Sequence, residues 1–128
     1  MKRVRTPIGR MWLYEDGILW HRLDQGAIVT VEHARAVREA VARLTEGNPV
    51  PAIVDIRGVV FADNEARRAF GGSAEESNEI ATAIIVASRI TRTLGNLFMT
   101  AGDSARPVKL FSSEDEALEW IAEFGEST

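Results

Sequence analysis

The chain reads as an α/β fold: a single mixed β-sheet with an N-terminal hairpin and crossover helices, in the order ββαβαβαβα. Three observations predict it. Two aromatic and β-branched runs flank Glu15-Asp16-Gly17, short apolar runs at 52–56 and 81–87 suit strands buried on both faces, and apolar residues recur at helical spacing between them. Strand-like and helix-like segments in alternation imply right-handed crossovers onto one sheet.

Met11 to Tyr14 and Ile18 to Leu23 form the hairpin arms, with Gly17 supplying the positive φ of a tight turn. Asp24-Gln25-Gly26 makes the next turn. Thr30 then caps a helix in which Val31, Ala34, Val37, Val41 and Leu44 share one side, and Gly47, Asn48 and Pro49 end it. Ala52 to Ile56 is an interior strand. A second helix is expected from Asp63 to Phe70, stopped by Gly71-Gly72, with Ser73 and Glu76 as a capping box for a further short helical piece. Ala81 to Ala87 is another buried strand. Ser88 caps a third helix over Arg89 to Thr100, with Ile90, Leu94, Leu97 and Phe98 along one side. Pro107 opens the last strand, Val108 to Phe111, and Ser113 with Glu116 starts a closing helix striped by Ala117, Leu118, Trp120, Ile121 and Phe124.

A length of 128 residues, 45% hydrophobic and 27% charged, suits one domain (1–128) able to bury a core without metal or disulfides. The absence of Cys excludes disulfides, thiolate nucleophiles and Cys-ligated zinc, and a cytoplasmic location is expected. Glu15 and Asp16 interrupt any signal-peptide core, and no segment approaches the roughly 20 apolar residues of a spanning helix, so no membrane insertion is expected. Fifteen basic against nineteen acidic side chains give a net charge of -4, which disfavours broad binding to phosphate backbones; no nucleic-acid partner is expected. Residues 1–9 read as a flexible arm, basic through Lys2, Arg3 and Arg5, with Arg10 beside it.

The segment from Val54 to Arg67, VDIRGVVFADNEAR, reads as a buried strand, a short polar turn and a helix opening with acidic groups. A helix N-terminus presents free N–H groups and partial positive charge, so Asp63 and Glu65 there serve as cap and first-turn acid, together worth about 1 kcal/mol, or as a docking point. Asp55 and Arg57 lie at the carboxyl end of the central strand, where open α/β sheets place ligand sites. Their structural alternative is local, with Asp55 accepting from loop amides and Arg57 pairing with Asp63 or Glu65. Trp12, Tyr14 and Trp20 alternate along the hairpin and form either core or an apolar surface for a homodimer or a ligand. Gly95 and Asn96 interrupt the third helix, which suits close packing or a small pocket with Arg89 or Arg92 nearby. His21 and His33 have no acid at metal-ligand spacing, and no metal or cofactor is expected. No nucleophile-elbow, phosphate-loop, dinucleotide or zinc-protease pattern occurs, so no catalytic residue is nominated.

Asp55-Ile56-Arg57-Gly58 after a strand, Ala66-Arg67 in the next helix, and the pattern from Pro107 through Trp120 resemble STAS domains, specifically small uncharacterised bacterial proteins of the STAS/SEC14-like type. The resemblance covers most of the chain. In the related anti-sigma factor antagonists an Asp-Ser-Ser-Gly turn carries the Ser that accepts phosphate from a partner kinase; here the run is Asp63-Asn64-Glu65-Ala66, with Glu65 at the acceptor position. The resemblance implies a non-enzymatic interaction module in bacterial signalling, docking a regulatory kinase or anti-sigma-like factor through Arg57, Asp63, Asn64, Glu65 and Arg67. Two alternatives are a carrier or sensor holding an apolar or anionic ligand between the aromatic hairpin and the third helix, and an enzyme with a cleft joining Asp55, Arg57 and Asn96.

Overall fold

The computed structural model describes residues 2–63, 65, 79–89, 91–93, 96 and 107–125. Eight strands and two long helices fall within these residues: β1 (Lys2–Thr6), β2 (Gly9–Leu13), β3 (Leu19–Leu23), β4 (Ala27–Val29), α1 (Val31–Thr45), β5 (Val50–Asp55), β6 (Val59–Ala62), β7 (Glu79–Ile85), β8 (Val108–Phe111) and α2 (Glu114–Gly125). Six strands make a mixed sheet in the order β1-β2-β3-β5-β7-β8, antiparallel through β3 and parallel from there on. The hairpin turn at Gly17 has φ 89°, the left-handed geometry that favours glycine. Between β2 and β3, Gly9 has no room for a side chain, since a Cβ there would stand 2.3 Å from the Arg22 carbonyl oxygen.

Two expectations are corrected. Residues 2–6 are an edge strand and not a flexible arm: Val4 packs against the core and Thr6 is buried, so strand pairing with β2 overrides the basic composition. The polar turn expected before Asp63 contains β6, which pairs in parallel with β4 as a separate two-stranded sheet, Ile28 opposite Phe61 and Val29 opposite Ala62. The register shifts between Ala27 and Ile28, as at a bulge. Most of the helix expected over 63–70, the capping box at Ser73 and Glu76, and much of 89–100 lie outside the described residues. Arg89, Thr91, Arg92, Thr93 and Asn96 are helical, and Ser88 caps them, its Oγ accepting from the Thr91 N–H at 3.2 Å.

Helix α1 follows from Thr30, whose N–H donates to Nδ1 of His33 at 3.2 Å, so that His33 takes the place of the usual Glu or Gln three residues into the helix. Val37, Ala40, Val41 and Leu44 bury its apolar face against Met11, Leu19 and Leu23 of the sheet. On the opposite face α2 packs against β5, β7 and β8, with Ala117 and Ile121 fully buried on Ile53, Ala83 and Ile85. Small residues at 81 and 83 let α2 approach β7 closely. No helix among the described residues is long and apolar enough to cross a membrane.

His21 is buried on the α1 side, with Nε2 3.0 Å from Thr6 Oγ1. The Thr6 hydroxyl donates to the Gly9 carbonyl at 3.0 Å, which assigns the imidazole proton to Nε2, donating to Thr6. Burial pushes His21 down to about 4, with the Asp24 carboxylate opposing the shift. The folded protein therefore binds this proton less readily than the unfolded chain. The stabilisation is complete above about pH 6.5 and is lost as pH falls toward 4. Urea denaturation should show stability falling by about 3 kcal/mol across that window. A flat profile there, or the same slope in His21→Gln, would contradict this assignment.

Candidate functional site

Four charged side chains meet at the carboxyl ends of β3 and β5. Asp55 is the last residue of β5, and its parallel register puts Arg22 of β3 directly beside it. The Asp55 carboxylate is almost wholly buried and is fully engaged: Oδ1 accepts from the Arg57 backbone N–H at 3.0 Å and from Arg57 Nε at 2.9 Å, while Oδ2 accepts from Arg57 Nη2 at 2.7 Å. Arg22 Nε stands 3.2 Å from the same Oδ2. Glu114, in the first turn of α2, closes the ring by accepting from Arg57 Nη2 at 2.9 Å and from Arg22 Nη2 at 3.1 Å. Two guanidiniums and two carboxylates thus balance.

Burial alone would raise the Asp55 carboxyl, but the Arg57 side-chain and backbone hydrogen bonds, with the Arg57 and Arg22 charges, hold it below the usual range. Arg57 is correspondingly raised, chiefly by Asp55 and then by Glu114. The bidentate fork fixes the Arg57 plane and aligns the turn that follows. Gly58 comes next, packed so tightly on the Asp24-Gln25 turn that a Cβ would lie 2.7 Å from the Asp24 carbonyl oxygen; its own carbonyl accepts from Gly26 N–H at 2.8 Å. This contact sets the start of β4 beside the start of β6.

The Arg57 pairing corrects an expectation. Its partners are Asp55 and Glu114 rather than Asp63 or Glu65, because the fork is satisfied two residues back and by a helix 57 residues ahead. Asp63 is half-buried and its N–H donates to the Val29 carbonyl at 3.3 Å; Glu65 is exposed and helical. Asn64, Arg67 and Gly95 lie outside the described residues. Asn96 is exposed. Of the aromatic trio, Trp20 is buried beneath α2, Trp12 is half-buried opposite it across β2 and β3, and Tyr14 is 42% exposed.

Sequence reasoning missed Arg22 and Glu114, although an acid in the first turn of the last helix is a readable signal. It also missed an apolar surface. Ile28, Val60 and Phe61 of the small sheet are 55%, 58% and 54% exposed, and Val31 at the start of α1 is 40% exposed. Among the described residues no group of His, Asp and Glu is arranged to hold a metal ion.

Residues 11–125 match the family model described as Domain of unknown function (DUF7793). The chain belongs to this DUF7793 family. No curated protein matches it. The DUF7793 chain is similar to the crystal structure of an uncharacterised protein of the DUF3478 family with a SpoIIAA-like fold from Shewanella loihica PV-4, at a TM-score of 0.59 and 16% identity, over 94% of this chain and 98% of that one. At that identity the match shows the fold, which is SpoIIAA-like and so of the STAS type.

In this DUF7793 protein, Asp55→Ala should lower stability by about 3 kcal/mol, since two guanidiniums lose their shared buried partner. Glu114→Gln should cost under about 1 kcal/mol, because Glu114 is 41% exposed. Equal losses in chemical denaturation would contradict the ranking. Gly58→Ala should cost about 2 kcal/mol, the neighbouring atoms being backbone that cannot step aside.

Proposed function

We propose that this chain is a non-enzymatic protein-interaction module of bacterial signalling, docking a protein partner on the small β4–β6 sheet and the acidic turn that follows it. The exposed trio Ile28, Val60 and Phe61 carries this reading. Ile28 and Phe61 are cross-strand partners, and the register shift places Val60 beside them without burying it. Contiguous apolar surface of this kind on a small domain suits partner contact better than solvent.

The surface leads directly into Asp63 and the exposed Glu65. In the anti-sigma factor antagonists, whose Asp-Ser-Ser-Gly turn the run Asp63-Asn64-Glu65-Ala66 resembles, the Ser corresponding to Glu65 accepts phosphate. A permanent carboxylate there supports a docking surface whose charge does not cycle. The Asp55-centred ring supplies rigidity: it orients the turn from which β6 emerges and makes no open cationic site of Arg57.

Affinity capture from lysate of the organism that encodes it, with the 128-residue chain as bait, tests the proposal against Phe61→Ser and Glu65→Ser. A partner held by the natural chain should be weakened about tenfold by Phe61→Ser, as for truncation of an interface anchor. Glu65→Ser should weaken it less, and should make the chain a substrate for added phosphate if a cognate kinase is present. A partner retained equally by all three chains would overturn docking at this surface.

A further inference from the structure

The other end of the main sheet carries charge of opposite sign. On β1 and β2 the strand register sets Arg5 opposite Arg10 and Arg3 opposite Trp12; on β2 and β3 it sets Arg10 opposite Arg22. Alternation puts all of these on the α2 side of the sheet. Helix α2 covers β5, β7 and β8, and Arg3, Arg5 and Arg10 are exposed. Like charges directly opposite one another destabilise a sheet. Arg5 is offset by a bidentate pair with Asp24, and Arg22 by Asp55 and Glu114.

Among the described residues β1 is also the terminal strand of the sheet. Cations on an edge strand ordinarily prevent unwanted pairing, which accounts for Lys2, Arg3 and Arg5. It does not account for Arg10, which lies on an interior strand between two other arginines and whose nearest described carboxylate, Asp24, is already forked by Arg5. We propose that the outer edge of β1 accepts an extended acidic segment of another protein, which adds as a further strand and brings its carboxylates to Arg3 and Arg10, on either side of the Arg5–Asp24 pair. Main-chain hydrogen bonds supply affinity and alternate side chains supply selection. The edge presents Arg3, Val4 and Arg5 in turn, with Val4 half-buried and packed on the core. The complementary strand therefore sets an acid beside Arg3 and an apolar residue beside Val4, Arg5 being held by Asp24. A second copy fits poorly, because antiparallel pairing of two β1 edges about Val4 would set Arg3 against Arg5 twice. Nucleic acid offers no peptide groups to extend the ladder, and the net charge of -4 opposes it.

A fluorescein-labelled peptide alternating Glu and Val, titrated into the intact chain and followed by anisotropy and amide hydrogen exchange, tests this. Binding should weaken with added salt, slow exchange in Lys2–Thr6, and fall about tenfold in Arg3→Glu/Arg10→Glu with an unchanged circular-dichroism melt. No binding, salt-independent binding by the natural chain, or protection away from β1 would overturn the proposal. So would tighter binding of a single-stranded oligonucleotide or of phosphatidylserine vesicles, or self-association abolished by the double charge reversal. The salt and exchange readings on the natural chain decide the matter even if the double variant fails to fold.

Discussion

A carboxylate taken out of water at the end of the central strand organises this molecule. Asp55 is buried, and a buried charge persists only when its partners are close and its lone pairs are used. Arg57 meets that need through its own backbone N–H and both arms of its fork, so the requirement of one side chain dictates the path of the next three residues. Arg22 and Glu114 extend the requirement to the neighbouring strand and to the last helix. The ring ties together pieces of chain up to 92 residues apart.

That constraint has an effect at a distance. With Arg57 fixed, Gly58 must lie against the turn at 24–26, and the absence of a side chain is what allows it. Two short strands are thereby brought alongside each other although neither belongs to the main sheet. Each buries one side, through Ala27 and Val29 on β4 and Val59 and Ala62 on β6, and leaves large apolar groups in water on the other. A surface that costs solvation is held in place by a rigid electrostatic clasp behind it.

Features governed by local chemistry were legible. Thr30 before a periodic apolar run and Gly47 after it bracket α1, and the hairpin follows from Gly17 and its flanking runs. The six-stranded mixed sheet and its helices agree with the α/β reading. Features governed by distant partners were not legible. Lys2, Arg3 and Arg5 look like a solvated arm until Val4 and Thr6 are seen facing a core supplied by later segments. The run VVFA is rich in strand-forming residues but lacks two-residue alternation, the register shifting opposite it, and its pairing strand lies about thirty residues upstream, so nothing local marks its partner. Asp55 and Arg57 were recognisable as a charged pair at a strand end. Their third and fourth companions were not, since proximity in sequence favours Asp63 and Glu65 while the fold brings in Glu114.

The placement of Glu114 also bears on synthesis. Synthesis runs from β1 toward α2, so the side lined by Trp20, Ile53 and Ile85 is made before the helix whose Ala117 and Ile121 pack on it. During that interval the two arginines and Asp55 hold a net positive cluster with no lid over it. Arrival of α2 does two things at once, neutralising that cluster through its first turn and drying the aromatic side through Ala117 and Ile121. Helix α2 thus acts as a latch, and a nascent chain stalled before Glu114 would leave Arg22, Arg57 and Asp55 without their fourth member.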